Sequence, residues 1–275
     1  MTRPVRLERE GPVATVTLCR PAVLNAQTPA MWAELREYGR QLTGDVRVVV
    51  VRGEGKAFSA GLDLSMAGTS APGGGATGGT AEGHDSAGVP AEPRPGTFES
   101  LATLPPERAQ EHIASFQEGF SWLRRPDLIT VAAVQGHAIG AGFQLALACD
   151  LRVLADDAQF TMGEVALGLV PDLGGTRRLV ELVGYGRALE ICVTGRRVPA
   201  AEAERIGLAN LVVPRADLDA AVRDLTAAVL AAPRGAVVEI KALLAAAAGR
   251  TFAEQEAAER AAQVRRLRDL AGIGE

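Results

Sequence analysis

Gln135-Gly136-His137-Ala138-Ile139-Gly140-Ala141-Gly142-Phe143-Gln144 joins two apolar runs of different character. On its N-terminal side, Ile129 to Val134 is β-branched and alanine-rich, short and apolar enough for a buried strand. On its C-terminal side, Leu145 to Cys149 continues at helical spacing. The stretch therefore reads as a strand-to-helix turn, where backbone N–H groups gather without intrahelical acceptors. Gly140 and Gly142 let the chain turn tightly, so amides around Ala141 can face a ligand oxygen. Such a place favours negative charge. Packing alone also accounts for many Gly-Ala-Gly turns, so the reading needs a second element.

That element follows the valine run Val46 to Val51, a strand covered on both faces. Arg52-Gly53-Glu54-Gly55-Lys56-Ala57-Phe58-Ser59-Ala60-Gly61-Leu62-Asp63-Leu64 repeats the pattern of a buried strand, a glycine loop and amides free to point inward. Upstream, Val13 to Leu18 alternates as a half-buried strand. Thr28 caps a helix with Pro29 at its first position, and Met31, Leu35, Tyr38 and Leu42 form its inner face. Residues 65–96 are Gly, Ala, Thr, Ser and Pro with almost no large apolar side chain. They cannot bury enough surface to offset their ordering entropy and read as a mobile insertion, carrying His84 without a role.

At 275 residues, 47% hydrophobic and 23% charged, the chain suits one sizeable core. A net charge of −4 argues against a nucleic-acid surface, and no apolar run is long enough to span a membrane. The expected compartment is the cytoplasm, consistent with three scattered cysteines in apolar settings. Three histidines without ligand spacing predict no metal site.

Chemistry points to Phe160 through Gly175. Glu164, flanked in sequence by Met162, Val165, Ala166 and Leu167, is costly to bury without a purpose, and an apolar setting raises its pKa into the range of a useful base. Asp172 precedes Gly174-Gly175 and is either a cap or turn aspartate for the helix that follows or a second acid. Helices are expected at 106–123, from Thr176, and over 186–194, 200–206, 218–230, 236–248 and 252–270, with short strands at 151–154 and 211–213. His137 reads as a strand-end residue, and Lys241 as a solvated lysine rather than a phosphate ligand.

Arg20-Pro21 with Asn25-Ala26, the loop Ala57 to Leu64, the stretch Gly136 to Gly142 and the segment Gly168 to Leu179 together resemble the crotonase superfamily, the enoyl-CoA hydratases and isomerases. The resemblance spans almost the whole chain outside the insertion. It implies an α/β fold, a crotonase-like spiral of repeated strand-strand-helix units over residues 1–195. A C-terminal helical trimerisation region, 196–275, would follow, giving a homotrimer or dimer of trimers. It also implies an acyl-CoA substrate and no cofactor, coenzyme A being part of the substrate. By carry-over, the Leu62 and Ala141 amides form an oxyanion hole, Leu24, Ala60, Asp63 and Leu64 border the coenzyme A, and Gly140 and Gln144 are further substrate-binding residues. Ala22 stands where many relatives carry a basic residue. Related hydratases use two glutamates, at the positions of Glu164 and Gln144, whereas isomerases that move a double bond need only the first. The resemblance thus favours isomerase, then hydratase, then thioester hydrolase, with an acyl-CoA-binding subunit as the non-enzymatic alternative; Asp172 would be the second carboxylate in a two-acid reaction.

Overall fold

The computed structural model describes residues 3–64 and 98–273. The expected insertion at 65–96, including His84, lies outside the described residues. β1 (Val5–Glu10) and β2 (Val13–Leu18) pair antiparallel. The alternating charges of residues 1–10 conceal β1, because only Val5 and, in part, Leu7 turn inward. Thr28 caps α1 (Pro29–Gln41), its hydroxyl accepting from the Met31 N–H at 3.4 Å, and Met31, Leu35, Tyr38 and Leu42 are buried.

β3 (Val48–Gly53) shows why its valines run unbroken. Val49 and Val51 belong to the main core, while Val48 and Val50 pack on the other face of the sheet. Then come α2 (Phe98–Ala102) and α3 (Pro106–Ser121). α3 stops short of Leu123, because the chain tightens into a 3₁₀ turn at Trp122–Arg124 ahead of Pro126. Trp32 of α1 meets Phe116 and Phe120 of α3 at ring-centre distances of 5.0 and 6.1 Å.

β4 (Ile129–Val134), β5 (His137–Ile139), α4 (Ala141–Ala148), β6 (Leu151–Ala155) and β7 (Gln159–Thr161) follow. The remainder is α5 (Gly175–Val183), α6 (Tyr185–Thr194), β8 (Arg197–Pro199), α7 (Ala200–Arg205), β9 (Leu211–Val213), α8 (Leu218–Ala231), α9 (Arg234–Ala247) and α10 (Phe252–Leu270). One sheet has the order β1-β2-β3-β4-β6-β9, parallel except for β1, and a second has the order β5-β7-β8. Leu218 and Val222 of α8 cover the face of the large sheet that carries Val48 and Val50. Strands as short as β5, β7 and β8 carry no readable alternation. Residues 197–213, on the C-terminal side of the expected boundary, supply β8 to one sheet and β9 to the other.

Lys241 corrects a sequence expectation. It is buried, and its ammonium donates to Leu128 O at 2.6 Å and to Asp150 Oδ2 at 2.7 Å. The same carboxylate accepts from the Thr130 N–H at 2.8 Å. The long aliphatic stem carries the charge from α9 to the edges of β4 and β6, where it is paired rather than solvated. Truncating one partner of a buried pair strands the other. Lys241→Ala should lower unfolding free energy by about 3–5 kcal/mol, measured by urea denaturation at fixed protein concentration; a loss below 1 kcal/mol would show that the pair is not an anchor.

Candidate active site

The loops after β3 and β4 are joined through their backbones. Ser59 N–H donates to His137 O at 2.9 Å and Ile139 N–H to Ser59 O at 3.0 Å, a parallel bridge centred on Ser59 and Ala138. Gln27 pins the first loop from its other side, donating to Gly61 O at 2.6 Å and accepting from Asp63 N–H at 2.8 Å. This second bridge leaves the intervening Leu62 amide unused. Gly61 has φ +86°, and a Cβ there would stand 2.5 Å from Ile139 O and 3.7 Å from the Ala141 nitrogen. Only glycine permits that approach. Ala141 opens α4, and Gly140 before it, at φ +49°, offers no side-chain cap. Among the described residues, neither the Leu62 nor the Ala141 N–H has an acceptor. Two uncommitted donors thus lie on adjacent loops, one of them at a helix N-terminus.

A buried polar network fixes the first loop. Ser59 Oγ donates to Asn25 O at 2.8 Å and accepts from Gln27 Nε2 at 3.0 Å and Gly61 N–H at 3.2 Å. Gln27 Oε1 accepts from Trp32 Nε1 at 2.8 Å. Leu24 and Asn25 hold left-handed φ values of 50° and 56°. Asn25 offsets that strain by accepting from the Arg20 N–H and donating to Glu54 O and Ala57 O, each at 2.9 Å. Sequence reading missed Gln27 and the role of Ser59; their only trace is polar residues inside otherwise apolar motifs.

β7 runs parallel to β5, and Gly140 N–H donates to Thr161 O at 2.8 Å. Phe143 and Phe160 stack at 4.5 Å and tie α4 to β7. Glu164, opening a 3₁₀ turn beyond β7, therefore comes beside Gly140, where a Cβ would stand 3.1 Å from its Oε1. Glu164 Oε1 accepts from Gln144 Nε2 at 2.7 Å. Glu164 Oε2 is buried without a hydrogen-bond partner among the described residues. Burial pushes the carboxyl above its ordinary 4.5, and the neighbouring Asp172 carboxylate pushes the same way, against the Glu164 backbone amide and the Gln144 amide. The cover differs from the sequence expectation. Met162 is buried, but Val165 and Leu167 are exposed, so Gly140 and Gln144, rather than these sequence neighbours, lie against the carboxyl.

Asp172 is no cap, because Gly174 occupies that position of α5 without a side-chain bond. Burial raises its carboxyl above the ordinary 3.8, and Gln117 Nε2 donates to its backbone oxygen at 2.7 Å. Asp63 pairs with Arg20 at 2.9 Å, and Arg20 also donates to Ala26 O at 2.6 Å. Ala60 is half-buried and its N–H donates to Leu24 O at 2.8 Å; Leu64 is exposed. Leu24, Lys56, His137, Asp157, Gln159 and Arg215 line a cavity of about 480 Å³ beside these loops. Among the described residues there is no group of three or more His, Cys, Asp or Glu able to hold a metal.

A profile of the enoyl-CoA hydratase/isomerase family matches residues 8–81 and 96–269. A Thermobifida fusca YX protein assigned as an enoyl-CoA hydratase superposes with a TM-score of 0.85 at 47% identity, over 98% of this chain and 95% of that one. The acetoacetyl-CoA complex from the same organism superposes with a TM-score of 0.83 at 48% identity, over 97% and 95% of the two chains. The carnitinyl-CoA dehydratase of Salmonella typhi is 35% identical over 228 residues, 82% of this chain and 74% of the relative.

The raised Glu164 pKa has a stability consequence. Below its unfolded value near 4.5 the carboxyl is protonated in both states, and its contribution to stability is fully present. As pH rises through the higher folded value, that contribution is lost. Glu164→Gln abolishes the titration while keeping an oxygen for Gln144. The variant should therefore gain in thermal midpoint relative to the parent at pH 8, with the gain shrinking at pH 4; a gain independent of pH would contradict a covered, ionising Glu164.

Proposed function

Because this chain belongs to the enoyl-CoA hydratase/isomerase family, we propose that it moves the double bond of an enoyl-CoA thioester with Glu164 as the proton carrier. In this reading the thioester oxygen accepts from the Leu62 and Ala141 amides. Glu164 takes a proton from C2 of a 3-enoyl ester, and the electron pair passes through the carbonyl onto that oxygen. The same proton is then returned at C4, giving the 2-enoyl ester and regenerating the carboxylate without consuming water. Each oxyanion donor is worth roughly 2.7–4 kcal/mol in such a transition state.

One observation carries the preference for isomerase: the Gln144 amide stands against Glu164 where a second acid would be required, and an amide cannot act as a general acid or base at neutral pH. Glu164 has no ion-pair partner among the described residues and lies against Gly140, which favours an enzyme over a passive acyl-CoA-binding subunit. The Thermobifida fusca relative, bound to CoA in one structure and to acetoacetyl-CoA in another, supports an acyl-CoA substrate. Leu24, Ala60, Asp63 and Leu64 would border the coenzyme A; Leu24 shares a cavity with Lys56, which would supply a cation near the phosphates, and with Arg215, whose charge is paired with Asp157. No separate cofactor is needed.

A hydratase is the second reading. The half-buried Asp172, close enough to raise the Glu164 pKa, could activate water with it, and several relatives carry hydratase names. Exposed Ile240, Leu244, Phe252, Val264, Leu267 and Leu270 on α9 and α10 support self-association through the C-terminal region, and the reading takes the form to be a trimer or a dimer of trimers. No helix among the described residues is long and apolar enough to cross a membrane.

Mass spectrometry of 3-enoyl-CoA and 2-enoyl-CoA incubated with the protein separates the two readings. The expected result is conversion of the 3-enoyl ester without the mass of water, a loss of about 10²–10⁴-fold in Glu164→Gln, and retention of most activity in Asp172→Asn. Addition of water to the 2-enoyl ester, with comparable losses in both variants, would make this a two-acid hydratase.

A further inference from the structure

The Gln144 side chain has one permissible orientation. Its Oε1 accepts from the Leu173 N–H at 2.8 Å and the Gly175 N–H at 3.3 Å, so a reversed amide would set its NH₂ against two donors. Nε2 must therefore face Glu164 Oε1, at 2.7 Å. The side chain is 1% exposed and leaves α4 one turn after Gly140, whose oxygen accepts the Gln144 N–H at 2.9 Å. Gly175 is shaped around it: a Cβ there would stand 2.7 Å from Gln144 Cγ and 3.1 Å from Oε1. Three separate elements, α4, the start of α5 and the turn bearing Glu164, thus converge on one amide.

This arrangement makes the two oxygens of Glu164 inequivalent. Oε1 already accepts an N–H, which stabilises its charge and makes it the less basic of the two oxygens. Oε2 is buried without a partner among the described residues, and a buried oxygen left unpaired calls for an explanation. We propose that Gln144 is a positioning residue that fixes the carboxyl rotation of Glu164 and leaves Oε2 as the atom that takes and returns the substrate proton. This rests on the reading of Glu164 as the base. The C–H proton goes to Oε2 as its electron pair enters the acyl group; the proton leaves Oε2 for the new carbon. Gln144 neither gains nor loses a proton, and its N–H stays on Oε1 throughout.

Two substitutions test the assignment. Gln144→Met keeps length and removes the donor. Gln144→Glu keeps an acceptor for Leu173 and Gly175 and donates to Glu164 only while the introduced carboxyl is protonated. The readouts are the ¹³C NMR titration of the Glu164 carboxyl in substrate-free protein, assigned by its loss in Glu164→Gln, and kcat and KM against pH with 3-enoyl-CoA. The titrating groups whose charges couple to Glu164 are Asp172 and Cys192, and neither is altered by these substitutions.

In Gln144→Met the Glu164 midpoint should rise, because a donor that favours the ionised form is gone. The acid limb of kcat should rise with it, and the plateau should fall about 10- to 100-fold with KM nearly unchanged, as for a misplaced reacting group. Gln144→Glu should recover kcat in the pH window where the carboxyl pair holds a single proton, and lose it as that second proton leaves at higher pH. An unmoved midpoint in Gln144→Met, or an effect confined to KM, would overturn the proposal and leave Gln144 as packing. A shifted midpoint in a protein that leaves 3-enoyl-CoA unchanged would support the oriented carboxyl and overturn the functional reading instead.

Discussion

The parallel bridge between Ser59 and Ala138 is the constraint on which the site depends. It sets two loops from different strands in register, so that Gly61 can approach Ile139 and Ala141 without a side chain intervening. The bridge is made of backbone bonds, and its stiffness comes from what surrounds it. Ser59 Oγ has Asn25, Gln27 and Gly61 as partners, and Gln27 is held in turn by Trp32. A fully satisfied buried network of this kind has no cheap alternative arrangement. Donor positions are thereby defined before any ligand arrives, which is what electrostatic preorganisation requires.

The second constraint is chemical. A carboxyl covered by protein and next to another carboxyl resists ionisation, which moves it toward the basicity needed to take a proton from carbon near neutral pH. The Gln144 amide works against that tendency, stabilising the charged form by holding one of its two oxygens. The site thus balances a strong base against one that can still ionise. An amide at this position, with no acidic proton on it, is the ground on which the proposed one-acid isomerase is preferred to a two-acid hydratase.

Much of this was legible in the sequence, because the two loops advertise themselves. A valine run followed by spaced glycines, met again before Gly140 and Gly142, needed no structure to suggest paired amides. The long helices and β2, β4 and β9 could be placed from periodicity and caps, and Phe252–Leu270 agrees at both ends. β5 and β7 could not, since three residues carry no pattern, and their pairing is what delivers Glu164 to Gly140. Lys241 misled for a related reason: a lone lysine on an alanine-rich helix looks solvated until Asp150 and Leu128 O are found opposite it. Gln144 was visible as the residue in place of a second acid, but its two backbone donors, Leu173 and Gly175, lie 29 and 31 residues away and belong to tertiary structure.

The most direct measurement is a crystal structure of this chain with acetoacetyl-CoA bound. The proposed mechanism places the thioester oxygen within about 2.7–3.1 Å of both the Leu62 and Ala141 nitrogens, with C2 of the acyl group facing Glu164 Oε2. A thioester oxygen that meets neither amide, or an acyl group turned away from Glu164, would contradict it.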